Sequence, residues 1–196
     1  TDQMLDSPTN NFATLNPLRM STNITLSEGN LKSTAVAAWH KAVGTIYQTS
    51  GKWYFEEVMV VDSWFMVGVD QSTASINTHS GSDAGLKGLA WVFDTTETRG
   101  DISYNATNSA YTYAGGVGCS VGDVISVALD LDTNNVKFFK NNVQYFSLNN
   151  LLENGAEYTF SVSHYLGSAS VANFGQDSSF AGNKTAQGNA DGNGIG

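Results

Sequence analysis

Asp130, Asp132 and Asn134 stand at alternate positions in the stretch DLDTNN. Oxygen-bearing side chains at that spacing begin the ligand shell of a calcium loop. The remainder of such a loop is missing. Its sixth position calls for glycine and holds Asn135, and its twelfth calls for glutamate and holds Asn141. No helical pattern flanks it, so the stretch reads as a turn between strands. His40, His79 and His164 lie far apart, and none has a Cys or His at zinc-ligand spacing. Cys119 is the sole cysteine, which rules out an intramolecular disulfide. A Cys119–His nucleophile pair would have to be assembled in space, and no local signature marks either residue. Its Gly/Ser/Val setting suits a small buried side chain. The run GGVGCSVGD (115–123) has the glycines of a phosphate cradle, but a strand pattern follows where a helix N-terminus is needed. The sequence therefore predicts no catalytic residue, no metal site and no cofactor.

The elements that position these residues are predicted to be strands. The chain has 196 residues, 41% of them hydrophobic and only 14% charged, with 20 glycines; Asn, Ser and Thr supply the missing polarity. Those residues favour turns and exposed strand faces over helix interiors. Nine Lys and Arg stand against 18 acids, giving a net charge of −9. Phosphate neutralisation needs clustered cations, and none cluster here, so neither nucleic acid nor an anionic membrane is an expected partner. The start, TDQMLDSPTN, has no basic and apolar leader pattern, and no apolar run is long enough for a transmembrane helix. The end, GNKTAQGNADGNGIG, has no apolar periodicity. It reads as a flexible tail or linker over 181–196, with 1–9 as an N-terminal extension, and the chain as a piece of a longer protein.

Strand-like runs recur between Gly, Asn, Ser and Asp clusters: 52–61, 64–70, 88–93, 123–131, 135–139, 158–163 and 170–175, with two edge strands from 12–18 and 24–34. Only 33–43 and 148–156 carry a helical signal, and the first could equally be a strand. Within 123–131, Ile125, Val127, Leu129 and Leu131 share one apolar face and are predicted to point into the core. The Asn pairs at 134–135 and 141–142 suit tight turns with positive φ, making a meander of three short strands.

The segments SGKWYFEEVMV (50–60), FMVGVD (65–70), GDVISVALDLDTNNVKFFKNN (122–142) and YTFSVSHYLGSASVANFGQDSSF (158–180) follow one another as the signature segments of a SPRY domain do, and the chain resembles that family over about 10–180. The usual Lys-Asn-Gly turn is Lys140-Asn141-Asn142 here, and the Ser/Gly/Thr-rich insert 71–87 is longer than usual. The resemblance implies an all-β fold, a bent antiparallel β-sandwich of the SPRY and concanavalin-like kind with little helix. It implies a non-enzymatic module whose loops at one end bind a partner. The flanking sequences are similar to those of SPRY domains in bacteriophage tail-associated and other virion proteins. That suggests a virion location, with a host surface protein or glycan, or neighbouring virion subunits, as partners, and a possible homo-oligomer. A purely structural virion subunit and a cellular adaptor binding a short peptide are the alternatives.

Binding through loops needs exposed aromatics and hydrogen-bonding side chains that the core does not require. The positions of that kind are Trp64 in the 62–64 turn, His79 in the insert, Arg99 and Tyr104 after the 88–93 strand, Tyr111 and Tyr113, and His164 and Tyr165 after the 158–163 strand. Tyr104, Tyr111 and Tyr113 sit in the Asn/Thr/Ser-rich stretch DISYNATNSAYTYAGG, read as a loop with paratope-like chemistry.

Overall fold

The computed structural model describes residues 11–36, 38–61, 63–93, 100–105, 107–112 and 117–185, with 108–112 as backbone. Its strands are β1 (Leu15–Met20), β2 (Ile24–Ser27), β3 (Lys32–Ala35), β4 (His40–Gly44), β5 (Lys52–Val61), β6 (Phe65–Gln71), β7 (Gly88–Phe93), β8 (Gly100–Tyr104), β9 (Thr107–Thr112), β10 (Val124–Asp130), β11 (Asn135–Lys140), β12 (Val143–Asn149), β13 (Tyr158–His164) and β14 (Ala169–Asn173). Two seven-stranded sheets result, in the orders β1-β4-β13-β6-β7-β8-β9 and β12-β11-β10-β5-β14-β3-β2. Neighbouring strands pair antiparallel throughout. Among the described residues no helix forms, and none is long and apolar enough to cross a membrane.

The two short stretches with helical signal are strands and turns instead. Residues 33–43 divide between β3 and β4, each claimed by ladder partners on both sides. In 148–156, Asn150 and Gly155 adopt φ of 58° and 76°, a left-handed conformation that a right-handed helix does not admit. The stretch around Tyr104 and Tyr111 is likewise no loop: β8 and β9 form a hairpin that extends the first sheet. It carries no apolar alternation: among its described side chains the fully buried ones are Ile102 and the polar Ser103.

The DLDTNN stretch is a turn. Asp130 Oδ1 accepts the backbone N–H groups of Asp132 and Thr133 at 3.1 Å, and Asp132 Oδ1 accepts that of Gly51 at 2.8 Å. Asn134 supplies a φ of 50°. At the next hairpin Asn141 and Asn142 take φ of 49° and 67°, the two positive values of a type I′ turn, so asparagine replaces the customary glycine without disturbing the Lys140–Val143 pairing.

Between the sheets lies one main core. The first sheet contributes Phe65, Val67, Val69, Leu89, Trp91, Phe93 and Val162; the second contributes Phe55, Met59, Ile125, Val127, Leu129, Val136 and Phe138. Leu131 packs against the same core, as the alternation in 123–131 predicts, and Cys119 is buried in it. Trp91 is the hub, with ring centroids of Phe93, Tyr145, Phe146 and Phe138 at 4.7–6.0 Å.

The first sheet is buried on its other face as well. Lys41, Met66, Gly68, Asp70, Ala90, Val92, Ser103, Ser161 and Ser163 all point away from the main core and are all buried. This explains why β6 and β7 read as unbroken apolar runs rather than alternating ones. The cover is the 72–87 insert, which lies across the sheet as a strap. Its Ser80 donates N–H to Ser163 Oγ at 2.9 Å and O–H to Ser161 Oγ at 2.9 Å. Gly81 follows at φ 73°, and a Cβ there would come within 2.3 Å of the Ser103 carbonyl oxygen. Gly81→Ala is therefore expected to cost about 1–2 kcal/mol for the left-handed conformation alone, and to lift the strap. The check is a lower melting temperature together with faster proteolysis confined to 72–87.

Candidate functional site: an aromatic surface at one end of the first sheet

The ladder itself assembles this site. β4, β13 and β6 are neighbours, and His40, His164 and Phe65 face one another in one row. β4 and β6 begin at that row and β13 ends there. The residue one step beyond it on each strand is therefore at the same end of the sheet: Trp39, Tyr165 and Trp64. With strands about 4.8 Å apart, the three rings must meet. Trp39 lies edge-on to Trp64 (centroids 6.1 Å, planes at 83°) and tilted against Tyr165 (5.3 Å, 40°). The strap adds His79, whose ring lies 5.4 Å from Trp39. Beneath, Trp39 packs on Met66, Ala90 and Val92.

All four aromatic and imidazole rings are half-buried, and two aliphatic side chains beside them are open to solvent: Val36 at 69% and Leu166 at 60% exposure. Leu166 is presented by a left-handed turn (φ 48°) whose Gly167 approaches the Ala35 carbonyl oxygen. Apolar groups at such exposure, ringed around packed aromatics, form a surface suited to contact. Burial lowers the His79 pKa below its ordinary value, although its hydrogen bond to the Ser80 carbonyl (3.2 Å) works the other way. Burial thus favours the neutral form of the His79 ring. It brings together no nucleophile and base.

Three of the eight predicted positions meet here: Trp64, His79 and Tyr165. Trp39 is the member that sequence reasoning missed. The other positions fall elsewhere. Tyr104 is in β8, partly buried against the main core rather than exposed in a loop. Tyr111 lies on β9 opposite Ile102, its side chain outside the described residues, as are Arg99 and Tyr113 altogether. His164 is not a loop residue. Tyr158, Phe160 and Val162 face the main core, and His164 continues that alternation as the last, fully buried residue of β13.

His164 there joins a polar chain that crosses the core. Its Nε2 lies 2.7 Å from Ser33 Oγ and 3.1 Å from Ser170 Oγ, both on the second sheet, and Ser170 in turn donates to the Glu57 carboxylate. Its Nδ1 lies 2.9 Å from Ser168 Oγ. Burial pushes the His164 pKa down to about 3. Burial pushes that of Glu57 up to about 8, against the opposing hydrogen bond from Ser170. Both groups are thus neutral near pH 7.

The architecture is that of a SPRY domain. The SPRY domain of human HERC1 superposes with a TM-score of 0.64 over 83% of this chain and 99% of its own, at 16% identity. The TRIM65 PSpry domain gives 0.66 over 83% and 92%, at 14% identity, and a human SPRY domain gives 0.62 over 80% and 98%, at 18% identity. At these identities the likeness is one of fold. The sequence matches no protein-family model, and no curated protein matches it significantly.

Proposed function

We propose that this chain is a non-catalytic binding module that recognises a protein partner through the Trp39–Trp64–Tyr165 surface. The observation that carries the reading is the convergence of those rings with exposed Val36 and Leu166 at adjacent strand ends. Rigid aromatics flanked by exposed aliphatics match the make-up of binding hot spots, where a few large side chains hold most of the affinity. The rings and exposed aliphatic side chains of this surface favour an apolar or aromatic segment of the partner. The functional unit is the domain over 10–180, with 1–9 and 181–196 as flanks. We place it on a virion, as a tail or surface appendage engaging a host protein, on the similarity of the flanking sequences to virion SPRY proteins; the fold is neutral on that setting.

The test is selection of binders from a yeast-displayed random-peptide library on the whole chain, with a glycan array run in parallel. Tyr165→Ala and Leu166→Ser are expected to weaken selected peptides by roughly tenfold or more each, with melting temperatures near that of the parent for Leu166→Ser. Peptides that bind both variants as tightly as the parent would overturn the reading. So would glycan binding with no peptide binding at all.

A further inference from the structure

Resting on that reading, we propose that Ser168 is the positioning residue of the aromatic surface and that His164 holds it in place. Ser168 is fully buried beneath the surface and is bonded to the segments that carry Trp64 and Tyr165 and to Ala35. Its Oγ lies 3.0 Å from the Trp64 carbonyl oxygen, 3.2 Å from the Tyr165 backbone N and 2.9 Å from His164 Nδ1. Its own carbonyl accepts the Ala35 N–H at 3.2 Å, at the root of the turn leading to Trp39. One residue thus ties the Trp64 and Tyr165 turns to the end of β3.

The protons can be assigned from the partners. A carbonyl oxygen only accepts, so the single Ser168 hydroxyl proton points to Trp64. The Tyr165 N–H is shared, donating to the Trp64 carbonyl oxygen at 3.0 Å and to Ser168 Oγ at 3.2 Å. His164 Nδ1 must then also donate, which fixes the imidazole as the Nδ1–H tautomer and leaves Nε2 to accept, from Ser33 O–H at 2.7 Å. The ring is also stacked on Phe65, centroids 5.8 Å apart, which fixes its plane. Ser33 on the second sheet therefore donates to Nε2, the Nδ1–H donates to the Ser168 oxygen, and the Ser168 proton goes to the Trp64 carbonyl, while Ser170 gives its own proton to Glu57.

The experiment uses Ser168→Ala and two replacements of His164. An asparagine amide reaches close to the Nδ1 position and can still donate to Ser168; a glutamine amide reaches close to Nε2 and cannot. Two readouts need no ligand: the near-ultraviolet circular dichroism of the Trp39–Trp64 pair and the exchange rate of the Tyr165 amide. Ser168→Ala and His164→Gln are expected to diminish the Trp signal and to speed Tyr165 exchange several-fold, since one branch of a shared hydrogen bond is lost and the branch to the Trp64 carbonyl remains. His164→Asn is expected to restore both towards the parent. Selected peptides should lose affinity with the first two variants and regain it with the third. If Ser168→Ala fails to fold, the Gln and Asn pair makes the same comparison. Unchanged dichroism and exchange in Ser168→Ala or His164→Gln would overturn the positioning role. Altered dichroism with unaltered peptide affinity would instead leave Ser168 as the positioning residue and remove the recognition role of the surface.

Discussion

Asp70→Asn is expected to destabilise the fold by about 3–5 kcal/mol, because it leaves a buried ammonium without its counter-charge. The side chains of Lys41 on β4 and Asp70 on β6 meet across β13, Nζ to Oδ2 3.3 Å, and are 1% and 2% exposed. Among the described residues neither of those atoms has a further hydrogen-bond partner. The pair is therefore a pure charge couple in a dry setting. Space around it is also closed, since a Cβ at Gly88 would come within 2.5 Å of Asp70 Oδ1. For a chain of this size the loss amounts to about 10–15 °C in melting temperature. Replacing both partners by apolar residues, Lys41→Met with Asp70→Leu, removes the unpaired charge together with the pair. That double variant is expected to return most of the stability, as apolar replacements of buried ion pairs commonly do. Urea denaturation of the parent, the single variant and the double variant measures all three; a loss under about 1 kcal/mol for Asp70→Asn would overturn the expectation.

Stability is expected to have a flat top in pH. Glu57 titrates at about 8 in the fold against an ordinary value of 4.5, so across that range the unfolded chain has lost a proton that the folded one keeps. Its contribution is whole below 4.5 and falls as pH rises to 8, by about 1.4 kcal/mol per unit. His164 titrates at about 3 against an ordinary 6.5, so across that range the unfolded chain holds a proton that the folded one refuses. Its contribution is whole above 6.5 and falls as pH drops towards 3, at the same slope. The two slopes cancel between 4.5 and 6.5. Outside that plateau about 2 kcal/mol should be lost by pH 8 and a similar amount by pH 3. His79, also lowered by burial, adds to the acid side. Glu57→Gln should abolish the alkaline limb and leave the acid one, read from urea midpoints across pH.

Most of the fold was legible because burial writes itself into periodicity. β5 and β7 begin and end where their patterns do, and the apolar face of β10 is the one that enters the core. Both asparagine turns were legible because positive φ narrows the choice of residue. β8 and β9 were not, since a polar strand gains its place from ladder bonds that any residue can make. The site was half legible. Trp64, Tyr165 and His79 stand out as large rings in turns. Trp39 was hidden inside 33–43, which read as either helix or strand, and the pairing of His40 with His164 that places it joins distant parts of the chain. One residue of strand length also decided the fate of His164: ending β13 at 163 puts it in solvent, and ending it at 164 puts it in the core.

The row of His40, His164 and Phe65 has a consequence for the thermodynamics of association. Recognition loops commonly lose conformational freedom when a partner docks, and that loss subtracts from the affinity. Here the three rings stand one residue beyond a hydrogen-bonded ladder, so most of that ordering is complete before any encounter. Partners should accordingly dock onto this end of the sheet with little backbone adjustment. Differences among them should then appear in how slowly they leave rather than in how fast they arrive.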